Sequence, residues 1–140
     1  MIERYRRRLS GPLLDRIDLH VEVPRVLHRD LADPVDGEPS DAIRSRVEAA
    51  RQVQRERLTP FGLHCNAHMQ ARHIRKFCTV DDQGQKLLEM VTDRLALSAR
   101  SYSRILKVAR TIADLAGEGQ ILQQHLAEAI QYRGLDRKMR

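Results

Sequence analysis

The stretch SARSYSRILKVARTIADL, Ser98 to Leu115, carries the strongest helical period in the chain. Ala99, Tyr102, Ile105, Leu106, Ala109, Ile112 and Ala113 recur at steps of three and four, so they line one face of a helix. Ser98 is placed to cap it, because a hydroxyl there can accept from a first-turn backbone N–H that has no partner within the helix. Arg100, Arg104 and Lys107 form a second stripe, offset from the apolar one. A helix that holds a core with one side and offers cations on another raises the question of what those cations meet.

Working outward, the neighbouring segments are helical too. Thr79-Val80-Asp81-Asp82 reads as a capping box, with hydroxyl and carboxylate three apart. The helix it opens runs to about Leu95, with Leu87, Leu88, Val91 and Leu95 inward. Met69 to Phe77 is a short helix that turns Ile74 and Phe77 inward. Asp41 to Arg57 is a longer one whose stripe of Ile43, Val47, Ala50 and Gln54 is thin, so it needs a partner to be stable. On the other side, Gly117 to Gln120 is a turn, and Ile121 to Tyr132 is a last helix with Leu122, Leu126, Ala129 and Ile130 inward. The basic tail Arg133 to Arg140 is expected to fray.

The first forty residues break this pattern. Arg4 to Arg8 is a charge run, and Ser10-Gly11-Pro12 is a helix-entry signal ahead of Leu13, Leu14 and Ile17. Leu19, Val21 and Val23 then alternate with His20 and Glu22, a strand pattern that Pro24 stops. A lone strand leaves its backbone groups without neighbours, and no second strand is evident in the sequence. It either pairs with a sheet outside these residues or stays loose, and the basic start reads like the middle of a larger protein. Arg25 to Ser40 is a connector punctuated by Pro34, Gly37 and Pro39. The expected fold is therefore all-α: a helical bundle over residues 41–140, preceded in residues 1–40 by a mobile helix–strand segment.

Composition narrows the function classes. The chain has 140 residues, 41% hydrophobic and 31% charged, with 4% aromatic residues and no Trp, so its core must be aliphatic. A net charge of +6 favours a polyanion such as nucleic acid or nucleotide phosphate, although a well-solvated arginine-rich surface gives the same count. The two cysteines, Cys65 and Cys78, make no disulfide framework and point to the cytoplasm, and no apolar run approaches a membrane span.

No G-x-x-x-x-G-K-[ST] or G-x-G-x-x-G occurs, so the chain cannot hold a nucleotide by the usual loop. His64, Cys65, His68, His73 and Cys78 lie close together, but only Cys65 and His68 have metal-ligand spacing and no matching pair follows; no metal is expected. Cys78, behind Phe77, reads as a small core residue. The arginines remain, since guanidinium is permanently charged and its fork of donors matches phosphate oxygens. Arg16 sits between the apolar turn and the strand, and Arg100 sits in the first turn of the central helix, where the helix end adds partial positive charge. On spacing alone, each is equally readable as a solvated surface arginine.

RYRRRLSGPLLDRIDLHVEVP, followed much later by LSARSYSRILKVARTIADLAG and HLAEAIQYR, resembles the magnesium-chelatase-like AAA+ ATPases of the bacterial ComM/YifB type. The resemblance covers essentially the whole chain. It implies that GPLLDRIDLHVEV is the end of the ATPase core and that residues from about Asp41 form the helical lid. It further implies that Arg16 is the arginine finger, reaching the nucleotide of a neighbouring subunit, and that Arg100 is the sensor 2 arginine on the nucleotide's terminal phosphate. ATP and Mg2+ would be the parent protein's cofactors, and its partners would be its own AAA+ core, further copies in a ring, most simply a hexamer, and DNA. The family's Walker A, Walker B and sensor 1 motifs do not occur in these residues, so the chain alone is not expected to hydrolyse ATP or to bind it tightly.

Two other readings stay open. The chain could be a stand-alone basic helical module that binds nucleic acid through Arg100, Arg104, Lys107 and the terminal arginines, although no helix-turn-helix or base-stacking platform is evident. It could also be a protein-interaction bundle whose basic surface is incidental.

Overall fold

The computed structural model describes residues 13, 16–26, 37–95 and 97–133. The charge run at 4–8, the helix-entry signal at 10–12 and the tail beyond Arg133 lie outside the described residues. Among the described residues five α-helices follow in order: α1 (Ser40–Leu58), α2 (Ala71–Phe77), α3 (Asp82–Leu95), α4 (Ala99–Leu115) and α5 (Gln123–Gln131). Two 3-10 turns, Thr59–Phe61 and Asn66–His68, carry the chain from α1 to α2. The bundle is all-α, as the periodicity predicts.

The helix ends show how local chemistry sets the boundaries. Ser98 caps α4 as expected, its Oγ accepting from the Ser101 backbone N–H at 3.1 Å. At the other end Gly117 takes φ 73°, a left-handed conformation that glycine enters without a side-chain clash. Its N–H donates to the Asp114 carbonyl at 3.2 Å and the Glu118 N–H donates to the Ala113 carbonyl at 2.9 Å, which closes the helix. At α3 the cap is Asp81 rather than Thr79: its Oδ1 accepts from the Gly84 N–H at 2.7 Å. The carboxylate next to the helix does what the sequence reading gave to the hydroxyl two positions earlier. Gly84 itself is buried against Leu126 of α5, so α3 and α5 approach closely at this point.

The core is aliphatic. Leu58, Met69, Ile74, Leu88, Val91, Ile105, Leu106, Ala109, Ala113, Leu126, Ala129 and Ile130 form one cluster, with α4 packed against α1, α2 and α5. Cys78 joins it as a small buried residue, and burial pushes its thiol up to about 11. Val80 and Ile121, the residues leading into α3 and α5, form an isolated parallel bridge that ties the two connectors together. The first half of α1 stays open: Ile43, Val47 and Val53 are exposed, and burial begins at Ala50 and continues at Gln54 and Leu58.

Two expectations need correcting. The buried face of α4 is not the purely apolar stripe: Ala99 is exposed, whereas Ser101, Arg110 and Asp114 are buried with Ile105, Leu106, Ala109 and Ala113. Ala99 is the first residue of the helix, at its exposed end, while Arg110 and Asp114 are buried by the polar network described next. The alternating residues 19–23 form no strand. They lie in no ladder, and Val21 and Val23 are 67% and 80% exposed. Alternation prepares a strand but does not supply the second backbone that a ladder requires.

The polar network joins α1 to α4. The Asp114 side chain is wholly buried and accepts from both ends of the Arg57 guanidinium, from Arg110 Nε at 3.1 Å and from Asn66 Nδ2 at 2.8 Å. Arg110 uses its remaining donors on the Gly119 and Glu118 carbonyls, at 2.9 and 2.6 Å. Asn66 Nδ2 also reaches Thr111 Oγ1 at 3.0 Å, and its backbone N–H donates to Gln54 Oε1 at 3.0 Å. A buried charge is tolerated where every donor and acceptor is met in this way.

Candidate functional site

Four cations were singled out in the sequence, and the structure divides them into two exposed and two engaged. Arg16 is exposed and follows a turn in which its backbone N–H donates to the Leu13 carbonyl at 3.0 Å. Arg100 is exposed in the first turn of α4. Neither side chain makes an ion pair or hydrogen bond with the described residues. Arg104, one turn further along α4, pairs with Asp18. Lys107 donates from Nζ to the Ala67 carbonyl at 2.9 Å, and partial burial, helped by the charge of Arg104, lowers its pKa. The cationic stripe on α4 is therefore mostly engaged within the chain, and Arg100 is its unengaged end.

The segment around Arg16 is tied to the same end of the bundle. Arg133 Nη1 donates to the Ile17 carbonyl at 2.5 Å and Arg133 Nη2 donates to Ser101 Oγ at 3.0 Å. The His20 N–H donates to the Tyr132 carbonyl at 2.7 Å, and Asp18 meets Arg104. Residues 17–20, part of the segment expected to be mobile, are thus anchored at three points. Ile17 follows Arg16 and Ser101 follows Arg100, so the two exposed arginines flank contacts that a single guanidinium spans.

Arg133 is the residue that sequence reasoning missed. Its place in the basic tail predicts fraying, yet it is 1% exposed and the largest fully buried side chain among the described residues. The available signal was its place directly after the apolar stripe of α5, where the chain has not yet left the core. Asp114 and Asn66 were missed for another reason: their partners lie far away in sequence, and no local pattern marks them.

The candidate metal ligands are dispersed by the fold. His73 Nδ1 accepts from the Gln70 N–H at 3.1 Å, and desolvation, with Arg72 and Lys76 nearby, holds its pKa below the ordinary histidine range. Cys78 is in the core, and Cys65 Sγ lies 3.7 Å from His68 Nδ1. Among the described residues no group of three or more such side chains could hold a metal ion. A cleft of about 350 Å3 between α2 and α4 has Ile74, Cys78 and Leu106 in its lining, with Arg75, Tyr102 and Ser103; neither Arg16 nor Arg100 lines it. None of the described helices is long and apolar enough to cross a membrane.

The sequence of this bundle and of the segment before it matches known families. The profile of the magnesium chelatase subunit ChlI C-terminal family matches residues 37–133, and that of magnesium chelatase subunit ChlI matches residues 1–31. The chain belongs to the ChlI C-terminal family and is a C-terminal part of the magnesium-chelatase-like AAA+ type. It is 46% identical over 137 residues to the competence protein ComM of Haemophilus influenzae and 43% identical over 135 residues to the uncharacterized protein YifB of Escherichia coli. An uncharacterized protein of Mycobacterium bovis is 36% identical over 130 residues. These matches take in 97%, 96% and 93% of this chain but 26% of each relative, so the chain spans about a quarter of their length.

Proposed function

We propose that this chain is the lid part of an ATP-driven motor acting on DNA, a helicase or branch-migration factor in competence and recombination. In this reading Arg16 is the arginine finger and Arg100 the sensor 2 arginine of an oligomeric ATPase in the cytoplasm, most simply a hexamer. Family membership supports the AAA+ part of the reading, and the similarity to a protein named for competence supports the process.

The observation that carries the reading is the exposure of Arg16 and Arg100 on one end of the bundle, without intramolecular partners among the described residues. Exposed guanidiniums suit the dispersed charge of a transferring phosphoryl group, which a preset cation stabilises without reorganisation. ATP with Mg2+, when bound, would supply the phosphoanhydride bond that is cleaved. This chain's own residues supply positive charge and its orientation, and no phosphate-cradling loop of this chain takes part. The exposure of both arginines supports that role.

The competing stand-alone nucleic-acid module would rely on Arg100, Arg104, Lys107 and the terminal arginines, of which Arg104 and Lys107 are engaged internally. A backbone NMR spectrum of the chain, titrated with a short DNA duplex and then with Mg-ATP, separates the readings. The lid reading expects small shifts in both titrations. Shifts at Arg100, Arg104 and Lys107 that appear with DNA and reverse in salt would favour the module instead.

A further inference from the structure

Arg133 sits two residues beyond the end of α5, where an arginine is ordinarily solvated, yet it is 1% exposed. Burying a guanidinium is costly unless its donors are met. Here one nitrogen meets the Ile17 carbonyl and another meets Ser101 Oγ. The two contacts lie in different parts of the chain, 116 and 32 positions away, and each is the direct neighbour of an exposed arginine. The fork of a guanidinium lets one side chain hold both, whereas a lysine ammonium on the same stem offers a single nitrogen. The Asp18–Arg104 pair and the His20–Tyr132 hydrogen bond hold the segment further along, but neither reaches Ser101.

We propose that Arg133 is a positioning residue that fixes Arg16 and Arg100 relative to each other, so that the two guanidiniums meet a polyphosphate as one preset unit. This rests on the reading of Arg16 and Arg100 as phosphate-contacting residues. The physical reason is preorganisation: misplacing a charge-stabilising group by about 1 Å costs about a hundredfold in rate. A strap that holds the backbone beside one arginine to the helix turn beside the other removes that freedom before the ligand arrives. It also means that a movement of the lid helix α4 is passed directly to Arg16.

The test has two parts. In this chain, Arg133→Lys and Ser101→Ala are compared with the unmodified protein by amide NMR and hydrogen exchange. Both variants are expected to shift the amides of Ile17 to His20 and to speed their exchange about tenfold, with Leu88 and Val91 of α3 unmoved as reporters of the fold. Unchanged signals at residues 17–20 in Ser101→Ala would overturn the proposal, even if Arg133→Lys failed to fold. In the longer protein, Arg133→Lys is expected to lower kcat for ATP about ten- to a hundredfold with KM changed less than about twofold. It should add nothing further in an Arg16→Ala background, an outcome that a merely structural role would not give. Normal kcat in Arg133→Lys beside a defective Arg16→Ala overturns the positioning role alone. Normal turnover in Arg16→Ala overturns the reading of the arginines on which it rests.

Discussion

Arg57 and Asp114, 57 positions apart in the sequence, join α1 to α4 through a two-pronged ion pair whose carboxylate is wholly buried. The same carboxylate takes Arg110 and Asn66, so one side chain is shared by two arginines and fixes the loop between α1 and α2. This pins the first long helix to the helix that carries Arg100. Removing the carboxylate would leave Arg57 and Arg110 facing each other with no counter-charge.

Asp114→Ala should therefore destabilise the chain by about 3–5 kcal/mol, the penalty for orphaning a buried charge. Urea unfolding followed by circular dichroism checks this. A change under about 1 kcal/mol would mean that the network is solvated and contributes like a surface pair.

Gly84→Ala is a case where helix propensity and packing point in opposite directions. Alanine is favoured over glycine by at most about 1 kcal/mol, the helix-interior value, and Gly84 lies in the first turn of α3. A Cβ at this position would lie 2.8 Å from Leu126 Cδ1 and 3.2 Å from Val80 Cβ, inside a filled core. Overpacking of this kind costs about 1–3 kcal/mol, so the net effect should be a loss of stability. A raised melting temperature would show that α3 and α5 can separate freely.

Cys78 gives the chain a pH limit on the alkaline side. Its thiol is raised from 9.0 to about 11, chiefly by burial, so the folded protein holds this proton more tightly than the unfolded one. The resulting stabilisation is complete below pH 9, and is lost as pH rises through 11. At pH 8 only about one thiol in a thousand would be ionised at such a site, so Cys78 should react with a thiol reagent far more slowly than half-buried Cys65. Stability in Cys78→Ala should lose the part of its alkaline slope that this thiol supplies, and equal labelling of the two cysteines in the folded chain would contradict the assignment.

How far the sequence could be read follows from how local each signal is. The helices of the bundle, the Ser98 cap and the turn at Gly117 depend on residues within a few positions of one another, and all are found. The cap at Asp81 was misassigned by two positions because Thr79 and Asp81 both offer an acceptor, and only the path of the chain into α3 chooses between them. The alternating residues 19–23 form no strand here because alternation is a property of one chain segment, whereas a ladder is a property of two. The exposed state of Arg16 and Arg100 was legible from their places at a turn and a helix start. The burial of Arg133 was not, since its partners are the Ile17 carbonyl and a serine on another helix. What Arg104 and Lys107 meet was not legible for the same reason: Asp18 and the Ala67 carbonyl are distant in sequence.

The most direct test of the central claim is steady-state ATP hydrolysis by the longer protein carrying Arg16→Ala or Arg100→Ala, with Arg94→Ala on the exposed side of α3 as the control. Loss of an arginine finger should lower kcat by about a thousandfold. Loss of the second phosphate-contacting arginine should lower it by about a hundredfold, with the control unchanged. If both variants turn over ATP at the unmodified rate, the exposed arginines serve some other partner, and this bundle is not the lid of a working ATPase site.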